Sequence, residues 1–248
     1  MQGIPKSHPR YESLLQRERL AKAVRDGLAH ETGLIAHGRG EAFDYLLGET
    51  SIPVAKAAEE AAAAALLLAE NPVISVNGNV AALAAESCVA LAKTVPAKLE
   101  VNLFHRTGDR AEKVAAALRG AGATEVLGVR PAARIPGLES DRALCERDGI
   151  FSADVVLVPL EDGDRCEALR RMGKCVIAVD LNPLSRTARA ASITVVDNVV
   201  RAVPAMTEFV TRMRGWSQQE LEGVVKGWEN EECLRQVLEF VSTRLRSL

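Results

Sequence analysis

Aromatic residues are scarce in this chain: phenylalanine, tyrosine and tryptophan together make up 4% of its 248 residues. That leaves little for stacking the bases of single-stranded nucleic acid, and it favours close packing of small aliphatic side chains over an aromatic-rich sandwich. No sign of charge dominates, because 31 lysines and arginines face 33 aspartates and glutamates for a formal net charge of −2. An overall basic field of the kind nucleic-acid binders use is therefore excluded, and only a local basic pocket stays open. The longest apolar run, Ala61–Ala69, falls far short of the ~20 residues a membrane span needs, and the first residues carry no basic-then-apolar signal pattern. Five cysteines (Cys88, Cys145, Cys166, Cys175 and Cys233) lie far apart, with no CxxC pair and no histidine at zinc-ligand spacing. They read as free thiols in a reducing cytoplasm. Two nucleotide fingerprints are missing as well. No G-x-G-x-x-G follows a strand and no G-x-x-x-x-G-K-[ST] occurs, which argues against a standard NAD enzyme and a P-loop ATPase.

What is present is alternation. The apolar positions Leu14, Leu15, Ala21, Val24 and Leu28 mark a helix face over Tyr11–Leu28; a second helix is expected at Glu41–Leu47 and a third after Pro53 as far as Asn71. The alanine- and leucine-rich centre of that third helix is apolar around most of its circumference, so it should be buried on several sides. Strand-like runs follow at Val73–Val76, Leu99–Phe104, Glu125–Val129, Asp154–Val158, Cys175–Asp180 and Ile193–Val196. Helical patterns separate them at Val80–Lys93, Asp109–Arg119, Cys166–Met172 and Val199–Met213, and only 130–149 lacks a clear pattern. Such alternation predicts right-handed crossovers and a mainly parallel, doubly wound Rossmann-like α/β sheet. Ser217 and Glu220 fit a capping box, and Leu234, Val237, Leu238, Val241 and Leu245 then form one packing stripe, toward the sheet or a second subunit. No linker composition divides the chain. One domain is expected: a helical part over 1–70, an α/β core over 71–200 and C-terminal helices over 201–248.

In open α/β sheets ligands gather at the carboxyl ends of the strands, and here those ends are polar. The first runs into Asn77-Gly78-Asn79, where Asn79 can cap a helix whose free N–H groups favour an anion; an ordinary capped turn is the alternative. The second ends in His105-Arg106-Thr107, with Arg106 suited to phosphate or carboxylate and Thr107 placed to cap the next helix. Asp180-Leu181-Asn182 closes the fifth; Asp180 there can accept from a ribose hydroxyl or hold a metal ion, and Ser185, Arg186 and Thr187 open the next turn. Asp197-Asn198 closes the sixth. Caps and turns explain each residue singly; several polar ends converging on one edge point to a ligand. Upstream, His37-Gly38-Arg39-Gly40 joins a permanent cation to glycines that let backbone approach an anion, with a plain turn between helices as the other reading.

These segments carry a resemblance. Ile4–Leu28 (IPKSHPRYESLLQRERLAKAVRDGL) with Gly33–Glu49 (GLIAHGRGEAFDYLLGE) resembles the start of the archaeal 4-phosphopantoate–β-alanine ligases, also called phosphopantothenate synthetases. SVNGNVAAL, EVNLFHRTGDR, VDLNPLSRTA and VVDNVVRA are similar to further family segments in the same order, so the likeness covers most of the chain. The resemblance implies a cytoplasmic homodimeric ligase of coenzyme A biosynthesis, with a Rossmann-like fold. It would condense (R)-4-phosphopantoate with β-alanine to 4′-phosphopantothenate while ATP becomes AMP and diphosphate. ATP contacts carried over from the family fall on Arg17, Arg39, Asp180, Leu181, Asn182, Arg186, Thr187, Asn198 and Val199. Strand-end position adds Asn79, Arg106 and Lys56 as candidates for the phosphopantoate side. Arg39 and Arg106 are the charge-stabilising candidates; Mg²⁺ is expected with ATP, without assigned ligands. His105 departs from the family pattern, where an aromatic such as tyrosine is expected. Two other classes stay in view: a nicotinamide dehydrogenase, disfavoured by the missing glycines, and a non-catalytic adenine-nucleotide sensor.

Overall fold

Branched aliphatic runs with every or nearly every position buried form the centre of the structure, a computed structural model that describes residues 4–247. They are β1 (Pro72–Val76), β5 (Val155–Pro159), β6 (Cys175–Val179) and β7 (Ile193–Val195), with β2 (Lys98–Val101) at one edge. Continuous burial, rather than alternation, is what a sheet covered on both faces requires. All neighbouring pairs are parallel, in the order β2-β1-β5-β6-β7. The chain enters at β1, moves out to the β2 edge, and then crosses back to β5 and on to β7. The order therefore reverses between β1 and β5, whose carboxyl ends diverge into a crevice.

Side chains alternate between the two faces. Ile74, Val76, Val155, Leu157, Ile177 and Val179 pack under α1 (Tyr11–Arg25), α3 (Pro53–Leu68), α4 (Gly78–Thr94), α5 (Gly108–Gly120) and α8 (Val199–Met213). Val73, Val156, Val158, Val176 and Ala178 face α6 (Gly163–Arg171), α7 (Arg186–Ala190) and a small antiparallel pair, β3 (Ala133–Arg134) with β4 (Leu144–Cys145). As the composition predicts, α3 is buried on several sides, with Ala58 and Ala61 through Leu66 all inside. Ser217 and Glu220 form the expected capping box at the start of α9 (Gln218–Lys226). From the stripe on α10 (Asn230–Arg246), Leu234, Val237 and Val241 pack with Leu47, Ile52 and Leu181, while Leu238 and Leu245 stay exposed. Among the described residues no helix is long and apolar enough to cross a membrane.

Two expectations need correction. Glu125–Val129 is not a strand: only Leu127 bridges Glu100, through hydrogen bonds of 2.8 and 2.9 Å, because Gly128 turns the chain away at φ +84°. The His37–Gly40 segment is not a turn either. It lies inside a continuous helix α2 (Glu31–Leu47), capped by the His30 side chain at its start and by left-handed Gly48 at its end. Two interior glycines weaken a helix by ~1 kcal/mol each. Anchoring offsets this at the far end of α2, where buried Asp44 accepts from Arg201 and Leu47 enters the core.

Candidate active site

The carboxyl ends of the five sheet strands and the first half of α2 enclose a cavity of about 730 Å³. Its shape follows from three close approaches. A Cβ on Gly78 would lie 2.5 Å from the Leu28 carbonyl oxygen, so only glycine lets the segment between α1 and α2 cross the start of α4. On Gly33 a Cβ would meet Asn79 Oδ1 at 2.3 Å; the Asn79 Nδ2 instead donates to the Gly33 carbonyl at 2.9 Å, fastening α2 over the cavity. Gly163 allows the same closeness to Arg186, bringing the ends of β5 and β6 side by side.

At the β6–β7 end, Asp180 is held by the Asn182 N–H (2.9 Å) and the Ser185 hydroxyl. Burial pushes the Asp180 carboxyl up, against those hydrogen bonds and the charge of Arg39. Asn182 accepts from the Leu184 N–H (2.9 Å), and its Nδ2 makes no hydrogen bond among the described residues. The Thr187 hydroxyl donates to the Glu161 carbonyl at 3.0 Å. Arg186 is shared between Asp164 (2.8 Å) and Glu167 (2.9 Å). Asn198 caps α8 and donates to Gln16 and Asp44, each at 3.0 Å, so that the first turn of α8 faces the cavity at Val199. Arg39 projects from α2, lines the cavity and pairs with no carboxylate among the described residues.

Arg39, Asp180, Leu181, Asn182, Arg186, Thr187, Asn198 and Val199 thus all line one cavity. Arg17 does not: its guanidinium binds Glu41 at 2.8 Å, beside Arg10, which binds Glu41 and Glu49. Of the residues expected on the phosphopantoate side only Asn79 lines it, and the cap of α4 is Asn77 rather than Asn79. Arg106 donates to the Gly128 and Val129 carbonyls at 2.6 and 2.8 Å, a satisfied role that fixes the loop after β2. Lys56 is exposed on α3, away from the cavity lining. Thr107 caps α5 as the sequence predicts.

Sequence reasoning missed the end of β5 and the start of α5. After β5, buried Glu161 lies between Arg142 and Arg165; Arg142 also donates to Asp162 (3.0 Å) and to the Asn102 carbonyl (2.8 Å), and Arg165 to Ser75 (3.1 Å). Burial pushes the Glu161 carboxyl up, opposed by both arginines. This network ties β1, β5 and the 130–149 connection into the cavity floor. The Asp162-Gly163 pair that opens α6 was the available signal, since it repeats the pattern of Asn77-Gly78. At the start of α5, Arg110 lines the cavity beside His30 and His105, whose rings stack with centroids 4.0 Å apart.

A parallel sheet with an arginine-lined cavity at its switch point, floored by a buried ion-pair network, defines a Rossmann-like α/β protein. The model of the phosphopantothenate/pantothenate synthetase family matches residues 54–244. Over the whole chain it is 55% identical to the 4-phosphopantoate–β-alanine ligases of Thermococcus onnurineus and Thermococcus kodakarensis, covering 95% of each. It is 52% identical to the enzyme of that name from Methanosarcina mazei, covering 98% of it. The chain belongs to the phosphopantothenate/pantothenate synthetase family and is an enzyme.

Proposed function

We propose that this protein is a 4-phosphopantoate–β-alanine ligase that uses ATP and passes through an acyl-adenylate. A carboxylate oxygen of phosphopantoate attacks the α-phosphorus of ATP, and diphosphate leaves with the electrons of the broken P–O bond. The β-alanine nitrogen then attacks the acyl carbon, AMP departs with its oxygen, and the proton shed by the amine passes to solvent. The result is 4′-phosphopantothenate, an intermediate for coenzyme A.

Two anions must meet in this reaction, so the main work is charge neutralisation and alignment. Arg39 over the cavity, the first turn of α8 and a shared Arg186 supply positive charge for the triphosphate. Asp180 and Asn182 offer an acceptor and a free amide for the adenosine. Among the described residues no three His, Cys, Asp or Glu side chains gather; Mg²⁺ would ride on the phosphate oxygens and water, as it commonly does, neutralising charge there. Four of the five thiols are buried, and burial pushes Cys88, Cys166 and Cys233 up to about 12, which suits chemistry without a cysteine nucleophile. Exposed Leu34, Ile35 and Tyr45 on α2 give a homodimer an apolar surface beside the site. A cytoplasmic location accords with the free thiols.

The observation that carries this reading is the single cavity holding the unpaired Arg39 together with Asp180, Asn182 and the start of α8. Its test is diphosphate release with ATP and β-alanine, comparing phosphopantoate with pantoate. Release dependent on both the acid and the amine supports it; ATP binding without acid-dependent diphosphate would leave a nucleotide sensor in its place.

A further inference from the structure

Of the four arginines that line the cavity, Arg142 and Arg186 pair with carboxylates, while Arg39 and Arg110 make no such ion pair among the described residues. Arg142 faces Glu161 and Asp162, and Arg186 faces Asp164 and Glu167. Arg39 stands within electrostatic reach of Asp180. Arg110 has no such acid: one Nη donates to the His105 carbonyl, no carboxylate pairs with it among the described residues, and its Nε is closed off from solvent with no protein partner. Leaving a buried donor unmet is costly, and a guanidinium in that condition is completed by an anion.

Its neighbours are equally unanswered. The His30 ring stacks on that of His105, at an interplanar angle of 29°, and Phe104 meets His105 edge-on. His30 Nδ1 is engaged by the Thr32 hydroxyl and N–H at the start of α2. Its Nε2 and both ring nitrogens of His105 have no hydrogen-bond partner among the described residues. The groups facing His30 are Arg110 from α5, His105 from the loop after β2 and Glu31 from its own helix. Three cationic or basic side chains from three separate elements therefore converge where, among the described residues, Glu31 is the one acid acting on His30.

We propose that Arg110, His30 and His105 receive the phosphate of the acyl substrate and are what separates phosphopantoate from pantoate. This rests on the ligase reading above. The placement fits the topology: β2, whose loop carries His105, lies three strand spacings, about 14 Å, from β6, whose end carries Asp180. With the nucleotide at the β6–β7 end, an acyl substrate whose carboxylate meets the α-phosphate points its other end toward β2. A doubly charged phosphate there also favours protonated imidazole. Burial, His105 and Arg110 hold the His30 imidazole below its ordinary value, with Glu31 opposing them, which favours its neutral form in the free protein. Binding the phosphate takes up a proton, and affinity falls as pH rises.

Calorimetric titration of the whole protein with phosphopantoate, without ATP, tests this in two buffers of different ionisation enthalpy. Proton uptake is expected with the native chain and its loss with His30→Asn combined with His105→Tyr, asparagine keeping a cap for α2. Arg110→Gln should weaken phosphopantoate binding about 10- to 100-fold, as loss of a charge-assisted hydrogen bond does, while ATP and pantoate binding stay within about twofold. Arg110→Lys should recover part of the loss. Inorganic phosphate should compete with phosphopantoate and not with ATP in the native protein, a readout that needs no variant. Unaltered phosphopantoate affinity in folded Arg110→Gln, or phosphate competing with ATP alone, overturns the assignment. Absence of diphosphate release by the native enzyme, with this binding pattern intact, counts against the ligase reading only.

Discussion

Gly78 opens α4 directly beneath the Leu28 carbonyl oxygen, which a Cβ at position 78 would approach to 2.5 Å, with the Ala29 Cα at 3.0 Å. This contact decides where His30 and α2 sit over the sheet, because the segment from Leu28 to Ala29 is what leads into them. Gly78→Ala should therefore displace the cavity roof. The expected result is a loss of about 1–3 kcal/mol in urea unfolding, as for overpacking, with a larger proportional loss in kcat/KM for the acyl substrate. Stability and kinetics equal to those of the parent would show that the strap yields freely.

Arg39 stands unpaired on α2 above the same cavity. Arg39→Ala should leave the fold unchanged, since the side chain is exposed and makes no hydrogen bond or ion pair among the described residues. Diphosphate release should fall by about two orders of magnitude in kcat/KM, of the order measured for other preorganised donors to developing charge. Steady-state assays across ATP concentrations give the answer. Full turnover in the folded variant would remove Arg39 from the site.

Glu100, fully buried on β2, accepts from the Glu146 N–H at 2.8 Å and the Ile150 N–H at 2.6 Å. Burial pushes its carboxyl up to about 7 against these hydrogen bonds. The side chain fastens the 130–149 connection, and with it Arg142, to the sheet. Glu100→Ala strands the buried Ile150 N–H, at a cost of about 1–3 kcal/mol, and the half-buried Glu146 N–H at a smaller one, whereas Glu100→Gln, keeping one acceptor, should cost clearly less. Chemical denaturation of both variants distinguishes them, and equal losses would mean that bulk rather than hydrogen bonding matters.

Glu59 is buried in α3, and neither carboxylate oxygen has a hydrogen-bond partner among the described residues. Burial, and then Asp197, push its carboxyl up to about 8, with Lys56 and Arg201 opposing. The folded chain then holds a proton that the unfolded chain releases near pH 4.5, so this group's contribution to stability is present at low pH. It is lost as pH rises toward 8. Glu59→Gln should melt with the parent near pH 5 and above it at pH 8.5–9. Melting curves that run parallel over that range would sink the assignment.

Strand ends were a sound guide to place and a poor guide to partner. Asp180, Asn182, Thr187 and Val199 were legible because each follows a short aliphatic run and lies within a family segment, and all line the cavity. Arg106 was equally well placed, yet its guanidinium closes on the Gly128 and Val129 carbonyls. Arg17 is drawn to Glu41, 24 residues away, and no local pattern announces that pairing. The glycines at 38 and 40 looked like a turn because their helix penalty is local, while the packing that overrides it comes from Arg201 and α10.

By itself the sequence determined the elements that a few neighbouring residues can settle: aliphatic runs as buried strands, the caps at Thr107 and Ser217, the alanine helix as interior, and family membership. Those depend on periodicity and on hydrogen bonds within one turn of chain. Tertiary structure alone decided that Glu125–Val129 makes only one bridge, that α2 roofs the crevice at the β1–β5 reversal, and which arginines find acids. Such outcomes are set by contacts between segments far apart in the chain. For that reason the uncompensated charge of Arg110 became visible only once the strands had been placed in order.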